Sequence, residues 1–184
     1  MLNRARVVAG ETVFITGASG GVGSALVQLA SLRGARVVSL TSASKEVQAC
    51  DIGAEVVITR GEGDLGEAVS DALAGRPVDV VANLIAGALF ADLLNLLRPE
   101  GRYITAGAIA GPLVELDLRN LYLGHLELIG STMGTRKEFA DLMGYIIQGR
   151  IKPLLARTCP LADLRQAQRD FLDKKFFGKL VIMP

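Results

Sequence analysis

The stretch from Thr12 to Arg33, TVFITGASGGVGSALVQLASLR, constrains the fold more than any other part of the chain. Thr12, Val13, Phe14, Ile15 and Thr16 are β-branched or aromatic and show no polar alternation, the pattern of a strand buried on both faces in a parallel sheet. Gly17, Ala18, Gly20, Gly21 and Gly23 punctuate the residues that follow, and Leu26, Val27, Leu29 and Ala30 then repeat at helical spacing. The expectation is strand, tight turn, helix.

Ala18, Gly20 and Gly23 stand at the three small positions of the dinucleotide fingerprint: a tight turn, room for a pyrophosphate, and close packing of helix on strand. Gly17, Ser19, Gly21 and Val22 complete the candidate loop. A phosphate would meet the unpaired N–H groups and the positive end of the helix dipole, with no basic side chain required. The fingerprint departs from its usual form in having Ala18 for the first glycine, and the same turn without a ligand is the plain structural alternative.

Further along, apolar runs alternate with helical patterns. Arg36–Leu40 reads as a second strand after a helix closed by Gly34, and it ends at Thr41 and Ser42 without an acid. An NAD site places Asp or Glu there to bind the ribose hydroxyls, and such a charge would repel a 2′-phosphate. Lys45, at the start of the next helix, and Arg60, at the end of a third strand over 55–59, offer two cations on that edge instead. NADP is therefore expected over NAD; a solvated lysine and a loop arginine are the plain readings. A glycine- and acid-bearing loop over 61–66 precedes a helix through Leu65, Val69 and Leu73. A fourth strand, 78–82, leads into Asn83, Leu84, Ile85, Ala86 and Gly87; a helix follows through Phe90, Leu93, Leu94 and Leu97. The fifth strand, 102–106, exits into small residues 107–111, a sixth is expected over 126–133, and Phe139, Leu142, Met143, Ile146 and Ile147 mark the most regular helical face. A helix around Leu164–Leu172 and a last strand, 180–183, complete the tail. This alternation predicts an α/β fold, a doubly wound parallel sheet of the Rossmann type, whose strand-exit loops face one ligand.

With 184 residues, half of them apolar, the chain can bury one sizeable core. A net charge of +1 without a basic cluster argues against nucleic acid and anionic membranes. No run approaches the roughly 20 apolar residues of a membrane span, and the opening MLNRARVVAGE lacks a signal-peptide core. A cytoplasmic protein is expected. Cys50 and Cys159 read as free thiols, and with His125 as the sole histidine they show no zinc spacing. A single histidine also supports no Ser-His-Asp or Cys-His arrangement, and Gly23 is followed by Ser24 where a Walker loop needs lysine.

The run AGETVFITGASGGVGSALVQLA, Ile52-Gly53-Ala54, LRPEGRYITAGAIAG and the ending FFGKLVIMP resemble the nucleotide-binding half of medium-chain dehydrogenase/reductases, nearest the quinone oxidoreductase and zinc alcohol dehydrogenase-like branch. The resemblance implies that Ala18 to Gly23 bind the pyrophosphate, that Lys45 binds the 2′-phosphate with Arg60 in place of a tyrosine, and that Leu84, Ile85, Gly107, Ala108 and Ile109 flank the nicotinamide ribose. Asn83 replaces the common Asp, Ile85-Ala86-Gly87 the common Gly-Gly, and Glu100 the second glycine of a Pro-Gly-Gly turn. It implies an NADP(H)-dependent oxidoreductase acting on a carbonyl, an alcohol or an activated alkene, and a homodimer through the sixth-strand edge. Residues 1–150 would form the cofactor domain and 151–184 a tail returning to a GroES-like catalytic domain, absent here, that supplies substrate contacts. Phe171, Phe176, Phe177 and Leu180–Met183 are then expected to expose an apolar patch or to bury it in another copy. No catalytic acid, base or metal ligand is identified within these residues. The same glycine loop suits short-chain dehydrogenases, but Tyr103, Tyr122 and Tyr145 are followed four residues on by Gly107, Leu126 and Gly149, not by the lysine that class needs. The remaining alternative is a module that binds NADP without turnover, as a sensor or interaction domain.

Overall fold

A computed structural model describes residues 1–61 and 63–184. Six parallel strands form one sheet: β1 (Thr12–Thr16), β2 (Arg36–Thr41), β3 (Val56–Thr59), β4 (Val78–Asn83), β5 (Leu97–Thr105) and β6 (Glu127–Gly130). Their order is β3-β2-β1-β4-β5-β6, the doubly wound dinucleotide-binding arrangement. The chain reverses direction across the sheet between β1 and β4, and ligand crevices open at the carboxyl ends of strands at such a switch.

At its centre the sheet is buried on both faces, as the unbroken apolar character of β1 requires. Val13 and Ile15 pack with Leu26, Val27 and Ala30 of α1 (Gly21–Leu32) and with Ala49 of α2 (Glu46–Asp51). Phe14, on the opposite face, packs with Val69 of α3 (Leu65–Ala72) and with Phe90, Leu93 and Leu94 of α4 (Phe90–Asn95). Two short helices of the second half follow, α5 (Leu118–Leu123), capped by Asp117, and α6 (Arg136–Ile147), which starts in a Thr135–Glu138 capping box.

Several boundaries shift from the sequence expectation. The helix through Phe90 stops at Asn95, and Leu97 instead opens β5, pairing with Val78 across a register shift. The sixth strand covers only 127–130 of the expected 126–133, because Ser131 onward turns away toward the α6 cap. In α6 no residue is fully buried: Leu142 and Ile146 of its apolar face are half-buried, and Phe139, Met143 and Ile147 are exposed. The expected loop over 61–66 is described except at Glu62, which lies outside the described residues.

The tail forms a small parallel pair, β7 (Leu155–Pro160) and β8 (Lys179–Met183), with α7 (Leu164–Asp173) against it. It is fastened to the main sheet unit. Lys152 N–H donates to Gln28 and Gly178 N–H donates to the Ser19 carbonyl at 2.9 Å. Phe177 enters this chain's own core, contrary to the expectation that it would be exposed or buried in another copy; Leu180 and Ile182 are half-buried, whereas Phe171, Leu172 and Met183 are exposed.

Candidate functional site

The residues singled out in the sequence come together along the carboxyl ends of the strands. β1 ends at Thr16, and Gly17 turns the chain at φ +66 so that the Gly20 N–H donates to the Gly17 carbonyl at 3.0 Å. α1 begins at Gly21 with no side-chain cap and no acid in its first turn, leaving its first N–H groups and dipole open to an anion. The glycines divide the labour. A Cβ on Gly23 would stand 2.0 Å from the Gly17 carbonyl oxygen, so the helix seats on the turn only because no side chain intervenes. At Gly20 a Cβ would meet only that oxygen, at 3.4 Å. The protein itself does not require glycine there, whereas a phosphate lying against the turn would. Ala18 is fully buried, and Val22 points outward.

Lys179 was not singled out from the sequence. Its side chain crosses the turn, with Cε where a Gly21 Cβ would collide at 1.8 Å, which brings its ammonium to the start of α1. The FFGK run is visible in the sequence, but nothing local in it indicates that β8 returns to the turn after β1.

At the other end, Thr41 closes β2 and Ser42 and Ser44 share a hydrogen bond at 3.2 Å. Lys45 lies in the single turn before α2; its ammonium donates to the Ser19 hydroxyl at 3.3 Å and to the Lys174 carbonyl at 2.7 Å. Burial, then the charges of Arg60 and Lys174, push its pKa down. Three cations therefore crowd one spot, and among the described residues Lys45 forms no ion pair. Uncompensated like charge of this kind is chemically suited to an anion. Lys174 caps α7 in the left-handed conformation and lies over the Phe171 ring.

The β4 and β5 exits interlock at the far end of the crevice. Leu84 is buried, Ile85 half-buried, and the Ala110 N–H donates to the Ile85 carbonyl at 2.9 Å. Gly107 runs so close beneath Leu84 that a Cβ would lie 2.6 Å from its carbonyl oxygen, while Ala108 and Ile109 stay exposed. None of these loop side chains is ionisable.

Among the described residues no three His, Cys, Asp or Glu side chains gather as a metal site. No described helix is long and apolar enough to cross a membrane.

The family profile described as zinc-binding dehydrogenase matches residues 21–148. The acryloyl-coenzyme A reductase of Metallosphaera sedula is 30% identical over 183 residues, covering 98% of this chain and 53% of the relative. The Rattus norvegicus quinone oxidoreductase is 29% identical over 192 residues, covering 100% and 57%. Among solved structures, a Sinorhizobium meliloti protein provisionally assigned as an alcohol dehydrogenase superposes with TM-score 0.97 at 58% identity, over all of this chain and 51% of that one. The 2-octenoyl-CoA carboxylase reductase CinF, solved with NADP and 2-octenoyl-CoA, gives 0.90 at 27% identity, covering 97% and 44%. An NAD-dependent alcohol dehydrogenase gives 0.92 at 25%, covering 100% and 54%. The chain spans about half the length of the relatives it matches. It belongs to the zinc-binding dehydrogenase family of the medium-chain dehydrogenase/reductases and corresponds to their carboxy-terminal, cofactor-binding portion.

Proposed function

We propose that the chain binds NADP(H) across the carboxyl ends of β1, β2, β4 and β5, as the cofactor half of an oxidoreductase acting on a carbonyl, an alcohol or an activated alkene. The observation that carries the reading is the cluster of Lys45, Arg60 and Lys174 beside Ser19, with no acid at the end of β2. Its charge suits the 2′-phosphate that distinguishes NADP from NAD. The open N-terminus of α1, Gly20 and Lys179 suit the pyrophosphate. When bound, the reduced nicotinamide supplies the hydride; Leu84, Ile85 and the 107–109 loop give it an apolar seat that limits water.

An enoyl thioester or quinone substrate is favoured by the relatives' names, acryloyl-coenzyme A reductase and quinone oxidoreductase. The residues that grip it would belong to a second domain, with the exposed Phe171, Leu172 and Met183 and the half-buried Phe176 facing that partner. We assign a homodimer through the open outer edge of β6, where Leu128 is exposed, and a cytoplasmic setting. Sedimentation as a monomer at micromolar concentration would count against the dimer.

Thermal unfolding with NADPH, NADH or neither tests the cofactor reading. At 100 times its dissociation constant a ligand stabilises by about 2.7 kcal/mol. A larger shift with NADPH than with NADH, lost in Lys45→Ala, is expected; no shift with either nucleotide refutes it. The alternative, a module that binds NADP without turnover, draws on the lack of an ionisable side chain in the 84–87 and 107–109 loops. NADPH oxidation by this chain alone, on addition of a quinone or enone, would exclude it.

A further inference from the structure

We propose that Asn83, backed by Thr16 and Tyr103, is the positioning residue for the nicotinamide half of the site, fixing the loop after β4 against the loop after β5 and against Gly17. The inference rests on the cofactor reading above. Three polar side chains from the ends of β1, β4 and β5 meet beneath the crevice: Thr16 and Asn83 are fully buried and Tyr103 is 3% exposed. The Asn83 Oδ1 accepts from the Thr16 hydroxyl at 2.7 Å and from the backbone N–H groups of Ile85 at 2.8 Å and Ala86 at 3.1 Å. Its Nδ2 donates to the Tyr103 hydroxyl, and the Leu84 N–H donates to the Thr16 hydroxyl oxygen at 3.0 Å. Three converging donors require an oxygen, so the amide has one orientation.

Those bonds dictate the loop. Ile85 and Ala86 have left the sheet, and the Asn83 side chain replaces the lost partners of their N–H groups. Ala86 adopts φ 57 and ψ −146, a conformation L residues avoid unless their surroundings enforce it. Gly87 then lies so close to the β5 exit that a Cβ would stand 2.6 Å from the Ala110 carbonyl oxygen, and the Ile85 Cδ1 stands 3.0 Å from a Gly17 Cβ position. A shift of Asn83 therefore moves both nicotinamide-side loops. Ser19 and Lys45 are joined to each other and to the tail, not to this network, so the two halves of the site separate experimentally.

Titration calorimetry on this chain compares NADPH with adenosine 2′,5′-bisphosphate, which carries the adenine and the 2′-phosphate but no nicotinamide. Tyr103→Phe keeps the ring against Phe90 and leaves the Asn83 amide without its acceptor. We expect NADPH to weaken on the order of tenfold and the bisphosphate to change less than about twofold. Asn83→Leu should do at least as much. Asn83→Asp should retain wild-type binding, because a carboxylate accepts the same three bonds and takes the Tyr103 proton as a fourth. In unliganded Tyr103→Phe, amide exchange should quicken at Ile85 and Ala86 and stay unchanged at Val13–Ile15. Equal weakening of both ligands, Asn83→Asp as damaging as Asn83→Leu, or unchanged exchange at Ile85 and Ala86 each overturns the proposal alone. A wild-type chain that binds neither ligand overturns the cofactor reading and the proposal with it.

Discussion

Replacing either of two glycines in the turn after β1 by alanine adds one methyl group, yet the geometry gives the two substitutions opposite effects. At Gly23 the new Cβ lies 2.0 Å from the Gly17 carbonyl oxygen, 2.6 Å from its carbon and 2.9 Å from the Ala18 Cα. All three are backbone atoms at the end of a central strand. Restoring a 3.4 Å contact from 2.0 Å means a retreat of about 1.4 Å, and α1 cannot yield that far without unseating Leu26 and Val27 from the core. Overpacking of this kind costs roughly 1–3 kcal/mol; the better helix propensity of alanine returns up to about 1 kcal/mol. At Gly21 the collision is with the Cε of Lys179, the far end of a flexible, exposed side chain that swings aside. Stability should then change by less than about 0.5 kcal/mol, while the ammonium leaves the helix start and nucleotide affinity falls. Gly23→Ala is thus expected to lower Tm by several degrees, up to about 12 °C, and Gly21→Ala to leave Tm in place but weaken NADPH and NADH alike. Differential scanning calorimetry and nucleotide titration read both. A Gly23→Ala chain as stable as wild type would refute the reasoning, as would a Gly21→Ala chain that lost as much Tm.

Three further outcomes follow from described contacts. Lys179→Met should weaken NADPH and NADH by similar factors, on the order of tenfold by calorimetry, since both carry the pyrophosphate and only one the 2′-phosphate. The Arg102 guanidinium is almost fully buried, pairs with Glu11 and donates to the Ala5 carbonyl at 2.6 Å; Arg102→Met strands that carboxylate and should cost about 3–5 kcal/mol in denaturant unfolding. The Thr135 backbone N–H, then Asn3 and the Thr135 hydroxyl, hold the Glu138 carboxyl down to about 2 against an ordinary 4.5. The folded chain binds fewer protons there than the unfolded one. The stability gap between wild type and Glu138→Gln should therefore be full above pH 4.5 and close as pH falls through about 2.

The half of the fold that repeats a strong local pattern was legible in the sequence. β1 and α1 needed only an apolar run, a glycine turn and a helical period, and the structure places them at Thr12–Thr16 and Gly21–Leu32. Long-range or one-residue decisions were not legible. Leu97 continues the helical spacing of Phe90 and Leu93, but its partner is Val78 on a strand, which no local window contains. β7 was hidden because LARTCP lacks clean alternation and ends in proline; it forms only because β8 lies beside it. The candidate site divides in the same way. Lys45 and Arg60 stand at strand ends where a sequence can show them, whereas Lys174 and Lys179 come beside them only through the path of the tail.

That path has a consequence for synthesis. The Ser19 carbonyl near the start of the chain is closed by the Gly178 N–H near its end, and the next residue lies across Gly21. A nascent chain that has reached residue 150 holds every strand of the main sheet, yet the turn at Ser19 still lacks its Gly178 bond. The turn after β1 is thus closed by residues about 160 positions further along the chain. Until those later residues are in place, the main sheet stands on its own packing.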